Sequence, residues 1–400
     1  MVKLTRNRLI VVLVSFGIAL STVLIKQGGY TQAKTPKAVA ERSKRLGLPA
    51  NSAPETLGQQ VVANYPVRFP DDHNEHPLFD IEWWYLTANV KDEQGRLYGL
   101  QWTLFRFRNP THSAGHSAWA NNQIYMGHAS VNSLDSHWFA EKFARGEVGN
   151  AGVNLAPFAL TIDDWAWTNS SQIVSEQQAL LPANLTFTLP LITQNEQGNP
   201  VMAVSATLQQ NGPFVLQGDK GYSIKSADGA YASYYYSNPF IDITGEFTFK
   251  NAHSTDNKHH VSFSGQAWFD HEWTSQLVDS KTLGWDWLSL HLDDGSKLMA
   301  FRMRIEDQPA YITGTLVHAD GKQTLLTEEN LSLTPRAMIA VNQLELPLYW
   351  HVNIPQFGVD IAVKTIKNDQ WNPALMAYYE GMVSVTGTHT GTGFLELTGY

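Results

Sequence analysis

From about residue 65 onward, apolar and polar positions alternate in short runs that stop at Gly, Asn, Asp or Pro. Residues 185–189, 201–208, 240–249 and 261–269 show period-two or continuous apolar patterns, the signature of strands buried on one face or on both. Helical periodicity over ten or more residues is hard to find past residue 65, so many short antiparallel strands arranged as sandwiches or barrels are predicted. Residues 378–387 and 393–400 predict a closing hairpin that ends on the last residue, Tyr400.

One strand pattern occurs twice. Residues 82–90 (EWWYLTANV), an Asp92–Gly95 turn and residues 97–106 (LYGLQWTLFR) are matched by residues 284–292 (GWDWLSLHL), the turn Asp293-Asp294-Gly295 and residues 297–304 (KLMAFRMR). Both read as hairpins too aromatic and β-branched for helix, closed by residues that tolerate tight turns. An Asp-His pair precedes each copy, Asp72-His73 and Asp270-His271. A supersecondary unit used twice implies two related β domains, which four hundred residues also favour.

The first residues carry a different signal. Lys3, Arg6 and Arg8 precede an uncharged apolar run over residues 9–25. This is the layout of a secretory signal or an uncleaved inner-membrane anchor, with a weak cleavage site ending at residue 33. Residues 1–33 are therefore expected to export the chain to a periplasm or beyond, or to hold it at the membrane. Residues 34–62 are expected to be a tether, and 63–240 and 241–400 two barrel domains.

The 13 Trp, 15 Tyr and 18 Phe give the chain abundant ring surface, most of which a β core accounts for and which also suits the walls of an apolar cavity. A net charge of -9 with no basic stretch past the N-terminus excludes nucleic acid as a natural partner. The absence of cysteine excludes disulfides, thiolate metal sites and a Cys nucleophile. No P-loop, dinucleotide fingerprint, calcium loop or zincin motif is present, so neither cofactor nor metal is expected. The segment 115–119 (GHSAW) lacks the final Gly of a nucleophile elbow, so serine hydrolase chemistry is not supported.

The densest chemistry lies in residues 267–273 (AWFDHEW). In a strand, Phe269, His271 and Trp273 share one face while Trp268, Asp270 and Glu272 share the other. His271 is then either a neutral relay group in a dry cavity or a core histidine tied to a carbonyl. Asp286 shares its face with Leu288, Leu290 and Leu292, and is either a protonated acid or the partner of Arg302 or Arg304. Glu82 faces the same choice. The tract 232–237 (ASYYYS) puts tyrosines on both faces of its strand, and Tyr125 and His128 stand close together in a further run.

Taken together, residues 69–73, 82–87, 232–237, 267–273, 284–287 and 395–400 resemble the double-lipocalin family of bacterial carotenoid 1,2-hydratases and AttH-like secreted proteins. The resemblance implies an all-β fold of two tandem lipocalin-like antiparallel barrels with few short helices. In the hydratase branch a His and a Trp two residues later act in acid–base hydration of a C=C bond, and here they match His271 and Trp273. Asp270 and Asp286 are the candidates for the acid. Trp83, Tyr85, Tyr235, Trp285 and Trp287 are the candidates for ligand binding. Three functions are expected to compete. One is a cofactor-free hydratase of an isoprenoid or lipid-like molecule, and another a lipid carrier working beside a membrane ABC transporter. The third is a polysaccharide binder with Trp83, Trp165 and Trp285 exposed.

Overall fold

The computed structural model describes residues 58–109, 121–146, 148–191, 201–250, 258–276 and 282–400. The segment 1–33 expected to direct export, most of the expected tether and the stretch 115–119 lie outside the described residues. Among the described residues no helix is long and apolar enough to cross a membrane.

The chain forms two antiparallel sheets. In chain order the first contains β1 (Ile81–Asp92), β2 (Leu97–Arg108), β3 (Gln123–Ser133), β4 (His137–Arg145), β5 (Ala151–Leu155), β6 (Phe158–Ile162), β7 (Trp165–Asn169), β8 (Ala183–Pro190), β9 (Val201–Gln210), β10 (Val215–Leu216), β11 (Tyr222–Ile224), β12 (Ala232–Lys250) and β13 (Lys258–Gln276). The second contains β14 (Thr282–Leu292), β15 (Lys297–Ile305), β16 (Tyr311–Val317), β17 (Gln323–Thr327), β18 (Ser332–Val341), β19 (Leu344–Ile354), β20 (Val359–Thr365), β21 (Trp371–Asn372), β22 (Tyr378–Gly387) and β23 (Gly391–Leu397). Each sheet curls toward a barrel, and the fold is that of tandem lipocalin-like barrels. The described helical pieces are short 3-10 turns, one of them Asp71–His73.

Both predicted hairpins form, β1 with β2 and β14 with β15, as does the closing hairpin β22–β23. They do not sit alike. In the first sheet β13 pairs with β1, whereas in the second it is the C-terminal β23 that pairs with β14. The Asp270-His271 pair therefore belongs to the first sheet, beside the first hairpin and not ahead of the second. The expected division after residue 240 falls inside β12, which continues through a bulge around Pro239; the change of sheet comes between Gln276 and Thr282.

Three apolar layers follow from strand alternation. One fills the first sheet's concave side around Trp84, Trp102, Trp165, Trp167, Phe269 and Trp273. A second fills the other sheet around Leu288, Leu290, Trp350 and Leu395. The third lies where the outer faces of the two sheets meet, around Tyr85, Tyr235, Trp268, Trp287, Phe301 and Met382. Gly99 on β2 permits that approach, since a Cβ there would run into Met382 and Phe394 of the second sheet.

Candidate active site

Strand register builds the first cluster. Trp84 and His271 are direct partners across β1 and β13, Glu82 faces Trp273, and Tyr236 of β12 lies opposite His271. On the other side of β1, Arg106 of β2 pairs with Glu82. The 3-10 turn then carries His73 and, just beyond it, His76 over the same inner face. Glu82, Arg106, Tyr236, His271 and Trp273 are fully buried. His76 is the member nearest solvent, with its side chain 13% exposed.

These groups form one continuous hydrogen-bonded line. The Tyr65 hydroxyl donates to Asp72 Oδ1 at 2.7 Å, and Asp72 Oδ1 lies 3.2 Å from His76 Nε2. His76 Nδ1 lies 2.6 Å from Glu82 Oε1, which lies 2.8 Å from His271 Nε2. His271 Nδ1 is 3.1 Å from the Tyr236 hydroxyl, itself 2.8 Å from His73 Nδ1. Rings clamp the line. Trp273 stacks on His76 with centroids 3.9 Å apart and planes 2° apart, and Trp84 stacks on His271 at 4.7 Å.

Electrostatics fix the charges. Burial alone would raise Glu82, but the His76 and Arg106 charges and bonds from His271 and His76 hold it well below the usual carboxylate range. Burial would lower His76, yet the Glu82 and Asp72 carboxylates outweigh it and raise the imidazole. Burial pushes His271 down to about 4 against the pull of Glu82, and takes His73 to about 3 with help from His271. Near neutral pH, then, Glu82 is an anion and His271 and His73 are uncharged. His76 carries its proton below its raised value.

Those charges assign the tautomers. Glu82 Oε1 accepts from both His76 Nδ1–H and His271 Nε2–H. His271 Nδ1 is then a lone pair and accepts from the Tyr236 hydroxyl, so His73 Nδ1–H donates to the Tyr236 oxygen. His73 is left with an unprotonated Nε2, and its ring lies among Phe69, Phe158 and Phe214.

His76, Glu82 and His271 also form a group with the spacing of a metal site, their ligand atoms lying within 4.8 Å of one another. The chemistry of the donor set disfavours a cation there. Separations of 2.6 and 2.8 Å from a single oxygen are hydrogen bonds, whereas two metal bonds of about 2.0–2.2 Å would hold their donors farther apart. Arg106 Nε, 2.7 Å from Glu82 Oε2, already supplies the compensating positive charge.

The predicted site residues divide into three places. His271 and Trp273 lie in the inner cluster. Asp270, next in sequence, faces outward and accepts from Trp268 Nε1 at 2.8 Å and Ser237 Oγ at 2.5 Å, so sheet backbone separates it from His271. Asp286 lies in the second sheet, where it accepts from Arg302 Nε at 2.6 Å and the Tyr400 hydroxyl at 2.6 Å. Of the two alternatives for Asp286, the structure takes the ion pair. Tyr85, Tyr235 and Trp287 lie in the layer between the sheets, with Trp83 and Trp285 partly buried against it. Trp165, expected at the surface by the polysaccharide reading, is fully buried.

Sequence reasoning missed His76 and Arg106. Arg106 was recoverable, because the hairpin register puts it opposite Glu82. His76 lies outside any strand, where periodicity carries no signal.

The paired curled sheets define a lipocalin-like protein with a histidine–carboxylate cluster inside its first half. A sequence profile described as AttH-like matches residues 60–400, and the chain belongs to that family. Among solved structures, a putative AttH from Nitrosomonas europaea is 27% identical with a TM-score of 0.70, over 86% of this chain and 99% of that one. Kievitone hydratase from Nectria haematococca is 15% identical with a TM-score of 0.56, over 86% and 96% of the two chains. CghA, solved with Sch210972, is 12% identical with a TM-score of 0.51, over 86% and 94%. The last two likenesses are of fold. No curated protein matches the chain.

Proposed function

We propose that this AttH-like protein is exported, takes up an isoprenoid or lipid-like molecule, and adds water across one of its C=C bonds without a cofactor. The observation that carries this reading is the unbroken line from His76 through Glu82, His271 and Tyr236 to His73. A hydratase needs a group that gives a proton to carbon and another that takes one from water. The cluster supplies an imidazolium at one end and a neutral imidazole at the other. A proton accepted at His73 Nε2 shifts each hydrogen bond by one place. His73 passes Nδ1–H to Tyr236, Tyr236 passes its own to His271 Nδ1, and His271 passes Nε2–H to Glu82, which becomes neutral. The proton for carbon is Nε2–H of the His76 imidazolium, released from its 3.2 Å contact with Asp72. The cycle closes when His76 Nε2 takes a proton from solvent and the line returns one to solvent at His73 Nε2. Stacked Trp273 offers a ring face to the positive charge that develops. A hydratase under a related fold, kievitone hydratase, supports the same chemistry.

A lipid carrier beside a transporter would need no line of hydrogen-bonded ionisable groups running from His76 to His73. The test is turnover of a panel of prenylated and polyene substrates, read by incorporation of one oxygen from labelled water. Tyr236→Phe keeps the ring and breaks the line, and is expected to lower turnover about 10²-fold or more. Ligand retained on extraction with no oxygen incorporated by the unaltered protein would make it a carrier. Asp286→Asn is expected to leave turnover unchanged while lowering the melting temperature, because it strips the counter-charge from Arg302.

A further inference from the structure

The layer between the sheets holds four carboxyl groups, three of them buried and the fourth half-buried. Glu380 of β22 and Glu396 of β23 are direct cross-strand partners on the second sheet, and Asp270 and Glu272 of β13 stand on the first. Glu380, Asp270 and Glu272 are at most 5% exposed, and Glu396 is half-buried beside Glu380. Glu272 alone is compensated, by Lys225 Nζ at 3.0 Å and the Ser233 hydroxyl at 2.5 Å. Glu380 Oε1 accepts from the Tyr85 hydroxyl across the seam at 2.8 Å, whereas its Oε2 is buried with no partner. Glu396 Oε1 accepts from Trp285 Nε1 at 2.6 Å.

Like charges directly opposite one another in a dry layer repel strongly, and a buried anion with an unpaired oxygen is costlier still. The arrangement is stable only if protons neutralise it. We propose that Glu380 and Glu396 form a proton-operated clasp that holds the two sheets together when protonated and loosens them when ionised.

The surroundings of each group agree. Glu380 faces Tyr85 from β1, Glu396 from β23 and Tyr378 on its own strand, the last held by His128 of β3. Glu396 faces Glu272 and Trp285; Asp270 faces Glu272, Tyr235, Ser237 and Trp268. Lys225, a cation at this seam, is spent on Glu272 and on the Tyr235 and Phe301 rings, and Lys297 lies over the Phe240 ring. Burial, with Glu396 adding, raises Glu380 well above the carboxylate range. Burial likewise lifts Glu396 and Asp270 to about 7. Because these values are raised on docking, the stability they contribute is complete below the free carboxylate value and is lost as pH rises toward and through 7.

Hydrogen–deuterium exchange of the full chain from pH 5 to 9, corrected for intrinsic rate, tests the clasp. Protection in β1, β22 and β23 is expected to fall at least tenfold across pH 7, while β7 and β8 in the first barrel stay protected. Glu380→Gln with Glu396→Gln keeps shape and hydrogen bonding and is expected to abolish the fall. If that pair does not fold, Glu396→Gln alone is expected to halve the logarithmic change. Protection that does not vary with pH, or that varies equally in the Gln variants, overturns the clasp. Neither outcome depends on whether the protein hydrates anything.

Discussion

Glu82→Leu is expected to destabilise the protein by about 3–5 kcal/mol, the range for breaking a buried ion pair from one side. The cause is the partner left behind. Arg106 is fully buried, and its guanidinium is placed by Glu82 Oε2, Gln123 Oε1 at 2.5 Å and the carbonyls of His76 and Phe79 at 2.7 and 3.0 Å. Without Glu82 it becomes a desolvated charge with only neutral acceptors. Urea unfolding of Glu82→Leu, Arg106→Met and the double variant measures this. The double variant is expected to recover most of the loss, and a single-variant cost under about 1 kcal/mol, the scale of an exposed pair, would show that Arg106 reaches water. The pH dependence has two limbs. Glu82 is depressed, so its contribution is present above its free value near 4.5 and lost as pH falls through the folded value. His76 is raised, so its contribution is complete below about 6.5 and lost as pH rises through its folded value.

The second large effect is catalytic. His271→Phe preserves the stack on Trp84 and removes both ring nitrogens from the line, so kcat for oxygen incorporation is expected to fall about 10²–10⁴-fold with KM little changed. A purely structural His271 would move KM and melting temperature instead. Its pH profile adds a second reading. His271 and His73 are already neutral above about pH 5, so activity is expected to be level there and to decline only where His76 loses its proton, above 6.5. A rate that follows a single ionisation near pH 4 alone would exclude His76 as the donor.

The strands, both hairpins and the closing hairpin were legible because alternation and Asp-Gly turns are local signals. So was the division of residues 268–273 between two faces. What local pattern could not show was which strand joins which sheet. β13 pairs with β1 across some 180 intervening residues, and that single pairing decides that His271 meets Glu82 and that Asp286 does not. Asp286 looked like an acid because its face is apolar, but Arg302 and Arg304 lie across the hairpin, and a register count favours the ion pair. Glu380 and Glu396 were invisible as a pair until β22 and β23 were set side by side with the first sheet against them.

β13 is read twice, by odd positions on one side and even positions on the other. Residues 269, 271 and 273 serve the barrel interior, while 268, 270 and 272 serve the seam between barrels. A protein engineer could vary alternate codons of this one strand to retune reactivity without touching the coupling of the halves, or the reverse. Deleting a single residue from it would exchange the two inventories at a stroke.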